Sequence, residues 1–150
     1  MAFPASTLTL KNGLDSALGA ATKIKTYVTN ARNASAQGPV GRGLILNLAR
    51  LLSDAIANFD NVAAIPGIGA YAQAQFADSN LDVVAEFTTM RNAATALRDW
   101  IVSNFPTDTN SGAVLVYTLD ANGTLTELTF TTTQLATFRT QADAFTATIS

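Results

Sequence analysis

A chain of 150 residues with a net charge of −2 is one domain by length, and folding it buries about two-thirds of its unfolded surface. With no Cys and no His, disulfide frameworks, thiolate zinc sites, cysteine nucleophiles and imidazole acid–base catalysis are all excluded. Charged residues make up 13% of the chain, about half the usual share, so its flanks suit burial against neighbours.

The opening MAFPASTLTL lacks a basic stretch followed by an apolar one, so no secretory signal is expected. From Leu8 to about Ala34, apolar residues recur at three and four. Leu10, Leu14, Leu18, Ala21, Ile24, Val28 and Ala31 form one stripe, which predicts a long first helix. Gly13 and Gly19 weaken it by about 1 kcal/mol each relative to Ala and permit close approach of a neighbour. Ser35 to Gly43, with three Gly and a Pro, is predicted as a loop.

A second helix is predicted from about Gly43 to Phe59, with Leu44, Leu48, Leu51, Leu52, Ala55 and Phe59 inward. Asn61 to Gly69, broken by Pro66 and Gly67, connects it to a short helix over about Ala70–Ala77. Ser79 then reads as an N-cap with Asp82 three residues on, opening the helix Leu81–Asn104. Its stripe is Val83, Val84, Phe87, Met90, Ala94, Leu97 and Ile101, with Trp100 beside it. Pro106 and the polar run Thr107–Gly112 end it.

Val114–Phe130 changes period, with two alternating β-branched and aromatic runs flanking Asn122-Gly123. That is a strong β-hairpin signal. A two-residue turn places Leu115, Tyr117, Leu119, Leu128 and Phe130 on one face, with Val116, Thr118, Asp120, Glu127 and Thr129 on the other. An isolated hairpin is marginal in water, so the apolar face must cover either its own helices, the preferred expectation, with the strand edges left free, or a neighbouring subunit. After it, Thr131 and Gln134 match a capping box for a last helix from Gln134 to about Ile149, burying Leu135, Phe138, Ala142 and Phe145. The expected fold is mainly α: one domain over 1–150, an antiparallel bundle of four main helices plus one short, with the hairpin 114–130 before the last helix.

Charge is uneven along the chain. Up to Gln75 the net charge is +3, and beyond it −5. In an up-down bundle Lys23, Lys25, Arg32 and Arg42 share one pole, while Asp54, Asp60, Asp78, Asp82 and Glu86 lie toward the other. The second helix also runs against its macrodipole, with Arg42 first and Asp60 last.

Motifs that carry chemistry are weak. Gly38-Pro-Val-Gly41-Arg-Gly43 precedes a helix but lacks the strand, Lys and Ser/Thr of a phosphate loop. Asp108-Thr-Asn110-Ser-Gly112 and Asp120-Ala-Asn122-Gly123 lack the remaining ligands of a calcium loop and read as turns. Asp82 and Glu86 lie one turn apart as an acid–base pair would, yet their place in a first turn fits dipole stabilisation. The expectation is therefore no catalytic, cofactor or metal residue. No run of about 18 apolar residues is present, so no membrane span is expected.

Four segments carry a resemblance: Ile65-Pro-Gly-Ile-Gly-Ala-Tyr-Ala-Gln-Ala-Gln75, LDVVAEF from Leu81, LRDWIVSNFP from Leu97, and LTFTTTQLATFRTQADAFTATI from Leu128. Over roughly residues 60–150 the chain resembles a family of small proteins encoded among the structural genes of tailed bacteriophages. The resemblance implies a virion component, not an enzyme, and carries over no catalytic residue. By fold analogy, a helical subunit with a protruding hairpin is similar to the ring-forming head-to-tail connectors (adaptors). Its partners would be copies of itself and the portal and tail proteins, with passing contact with packaged DNA, at the head–tail junction. Head-decoration, tail-completion and fibre-associated roles are alternatives, as is a DNA-packaging or host-interaction factor.

Overall fold

In a computed structural model, residues 7–37, 42–105, 110, 111, 115 and 117–149 are described. The chain is mainly helical. In order come α1 (Thr7–Gln37), α2 (Arg42–Ala63), α3 (Ile68–Gln75), α4 (Val83–Ser103), the short strands β1 (Tyr117–Leu119) and β2 (Leu125–Glu127), and α5 (Thr132–Thr146).

The four long helices pack in a closed order: α1 touches α2 and α5, and α4 touches α2 and α5. Each touching pair runs antiparallel. Ser16 meets Asn58 while Tyr27 shares a groove with Leu51. Phe59 stacks on Phe87, whereas Arg50 lies by Val102. Arg32 meets Asp143 while Ser35 meets Arg139. Trp100 touches Phe138, and Met90 shares a groove with Ile149. Short connections favour antiparallel neighbours, and each helix supplies a stripe for the shared core.

On α1, Leu14, Ala17, Ala21, Ile24, Val28 and Ala31 are buried. Leu18 lies half-exposed, because the helix turns its Ala17 row inward instead. The helix also runs past Ala34, so Ser35, Ala36 and Gln37 are helical where a loop was expected. The buried Ser35 explains this extension: its hydroxyl donates to the Arg32 carbonyl at 2.6 Å, and its own carbonyl accepts from Arg139 at 2.8 Å. Gly38–Gly41 lie outside the described residues.

α2 departs most from its predicted face. Leu44 is 52% exposed and Leu51 half-buried, while Ile45, Ala49, Ile56 and Val62 join Leu48, Leu52, Ala55 and Phe59 inside. Serving α1 on one side and α4 on the other needs a wider stripe than a single row of leucines. The helix also continues one turn past Phe59, so the connector shrinks to residues 64–67. Gly67, at φ +84°, makes that corner and starts α3 two residues earlier than expected. α3 ends with Asp78 N–H donating to the Gln73 carbonyl and Ala77 N–H to Ala74, which puts Ala77 at φ 49°.

α4 begins at Val83, with the Asp82 carboxylate accepting from Ala85 N–H at 3.0 Å. The cap is therefore Asp82 itself and not Ser79. The Asp78 carboxylate holds the preceding turn through Asn80 N–H. Its buried row is the predicted one, except that Val84 faces outward. The capping box of Thr131 and Gln134 is present, and Leu135, Phe138, Ala142 and Phe145 are buried as the sequence predicts. The helix stops at Thr146, three residues short of the predicted end.

The predicted hairpin of 114–130 is not present at that extent. Three residues pair with three, in the register Tyr117↔Glu127, Thr118↔Thr126, Leu119↔Leu125. This is one residue off the predicted pairing. Only Gly123 has positive φ here, whereas a two-residue type I′ turn needs two such residues. Asp120 is the cause. Its carboxylate accepts from the N–H groups of Asn122 and Thr124 at 2.8 and 2.9 Å, which favours a longer turn closed by Gly123 N–H to the Asp120 carbonyl.

Candidate assembly surface

The register decides which side chains share a face. Directly paired residues point the same way, so Tyr117, Leu119, Leu125 and Glu127 stand together. Their exposure is 51% for Tyr117, 66% for Leu119 and 62% for Leu125. Leu115 is also exposed and Leu128 half-buried. The face expected to cover the helices is thus turned to solvent, apart from its base. Val114 and Val116 lie outside the described residues, as do Asp108 and Gly112.

The base is anchored by aromatic packing. Phe130 is buried, stacks on Trp100 with ring centroids 6.2 Å apart, and meets Phe105 edge-on at 5.4 Å. Trp100 also lies 6.1 Å from Phe138 of α5. Rigid rings at the foot and exposed apolar side chains at the tip make the paired strands a projection on a fixed mount. Of the seven residues singled out in the sequence, Phe130 belongs to this mount. Tyr117 and Leu119 belong to the free face, and Asn122 and Gly123 to the turn. Leu125 was missed. An Asp two residues before Asn-Gly was the signal, because it selects the longer turn and thereby brings Leu125 beside Leu119.

The charged residues are placed as follows. Lys23 and Asp54 line the same groove between α1 and α2, so the predicted poles are not separated there. Arg32 bonds Asp143 at 3.0 Å, and Arg91 bonds Asp60 at 3.2 Å. The second pair places a cation at the end of α2, offsetting its unfavourable charge order. Asp78 and Glu86 flank a groove that Leu18 and Phe76 also line, whereas Asp82 is spent on the α4 cap. Lys25 is half-buried on α1, and the Arg42 side chain lies outside the described residues. Lys11 donates to Asp15 at 2.7 Å; that bond, then the attraction of the same carboxylate, raises its pKa above the ordinary lysine value.

Chemically the surface offers exposed apolar side chains and one carboxylate, that of Glu127. Among the described residues, no group of three or more carboxylates gathers as metal ligands would. The Asp120 carboxylate, half of one candidate calcium loop, is engaged by the turn. Among the described residues, no helix is long and apolar enough to cross a membrane. The chain matches no family model, no curated protein and no solved structure.

Proposed function

We propose that this chain is a non-enzymatic structural subunit of a tailed-phage virion, working as a ring-forming head-to-tail connector between portal and tail. The observation that carries the reading is the exposed face of Tyr117, Leu119 and Leu125 on an aromatic mount. Apolar side chains held out in solvent on a fixed support are characteristic of a surface that is covered by another chain. The low charge content and the antiparallel helix bundle support the same reading, since both suit side-to-side packing of many copies. The resemblance over residues 60–150 supplies the virion context.

Quantitative mass spectrometry of purified particles is the test. The chain should be recovered in intact virions at a fixed multiple of the portal subunit. Its absence from particles overturns the reading. A copy number tracking the major capsid protein would make it a head-decoration protein instead. Micromolar DNA binding with a steep salt dependence would move it to the packaging factors.

A further inference from the structure

The exposed strand face has a chemical counterpart elsewhere on the molecule. From Asn110 to Phe138 the chain carries two carboxylates, Asp120 and Glu127, and no Lys or Arg. Its free face is therefore apolar and acidic. A partner surface for it must be apolar and basic.

The groove between the first half of α2 and the end of α4 has that character. About 480 Å³ in volume, it is lined by Leu46, Ala49 and Val102, with Gly43 at one end and the guanidinium groups of Arg50 and Arg98 alongside. Val102 is 48% exposed, although it is a large apolar residue on a long helix. Arg50 donates to the neutral Asn47 side chain and takes part in no ion pair among the described residues. Arg98 bonds its neighbour Asp99, so the groove's positive charge comes from Arg50. The other grooves fit less well. The one beside α3 and α4 is flanked by Asp78 and Glu86, which repel Asp120 and Glu127. Of the two grooves between α1 and α2, one carries Asp54 beside its Lys23, and the other, lined by Tyr27, Leu44 and Leu51, carries no cation. The groove at Phe130 is the hairpin's own base, and its Arg139 is bonded to the Ser35 carbonyl.

We infer that the α2/α4 groove receives the β1–β2 face of a second copy of this chain, with Tyr117, Leu119 and Leu125 against Leu46 and Val102 and Glu127 near Arg50. This rests on the ring reading and gives it a contact. Hairpin and groove are different surfaces, so each copy offers one of each and the contact propagates until a ring closes. So small a face gives a weak contact per pair, and closure strengthens it by holding every copy twice.

Sedimentation velocity of the full chain across a wide concentration range tests the contact. The wild type should self-associate, less so as salt rises. Leu119→Asp with Leu125→Asp removes the hairpin side, and Arg50→Glu with Val102→Asp removes the groove side. Each variant should keep its helical circular dichroism and weaken association about tenfold or more, as loss of a charged or apolar anchor does. Mixed together at concentrations high enough to populate a single weak contact, the two variants should form a 1:1 heterodimer and nothing larger, because one good hairpin and one good groove remain. Glu127→Arg should restore association to Arg50→Glu. A wild type that stays monomeric, variants that associate as it does, or a mixture that stays monomeric overturns the contact. Particle content is independent of these outcomes: a subunit found in virions with an unaffected ring would retain the connector reading and lose this interface.

Discussion

Ala77 occupies the left-handed position that ends α3, where glycine is the usual residue. Its neighbours' hydrogen bonds hold it there against a steric cost, so Ala77→Gly should stabilise the fold by about 1 kcal/mol. Gly19 presents the reverse case. A methyl built on it meets nothing within 4 Å, and the helix interior favours alanine, so Gly19→Ala should add about 1 kcal/mol in chemical denaturation. Gly13 differs from its neighbour one and a half turns away, because the same methyl would come within 2.5 Å of Ile65 Cδ1. There the propensity gain is set against a displaced side chain, and Gly13→Ala should gain less than Gly19→Ala. The raised pKa of Lys11 means that its bond to Asp15 contributes fully below the ordinary lysine value and fades only in strong alkali.

Among the elements, α5 was the most legible. A capping box, a polar run and four apolar positions at helical spacing act locally, and all of them sit within fifteen residues of sequence. Thr131→Ala removes a side chain that accepts from Gln134 N–H and should cost about 1 kcal/mol. The hairpin was legible as a turn but not as a register. Period-two patterning fixes register only when one face is buried, and here Tyr117, Leu119 and all three residues of β2 are exposed. Asp120 chose the turn by bonding two backbone N–H groups, a local preference stronger than the pattern around it. Base and tip should therefore respond differently to mutation. Phe130→Ala should destabilise the fold by about 3 kcal/mol through a lost aromatic anchor. Leu125→Ala should leave the melting temperature within about a degree, given its exposure.

At the scale of the whole molecule, long-range ties set what each helix shows to solvent. Arg139 reaches the Ser35 carbonyl across 104 residues of sequence, and Arg32 reaches Asp143 across 111. Arg139→Ala leaves the carbonyl of the buried Ser35 without its donor and should cost about 1–2 kcal/mol, measurable by thermal unfolding. The same packing explains the charge pattern. A tally along the chain separates positive from negative, but antiparallel neighbours bring Lys23 level with Asp54 and Arg91 onto Asp60.

By itself, the sequence determined the helical class, the order of elements and most of the core, because three-and-four spacing and capping residues act within a few turns. Only the tertiary structure decided the inward face of α2, since that depends on two neighbours at once. It also decided the extension of α1 to Gln37, which a partner on α5 supports. The exposure of Tyr117, Leu119 and Leu125 belongs to the same class. Whether an apolar strand face meets its own helices is a matter of where the chain's other segments have come to rest, and no local pattern encodes it.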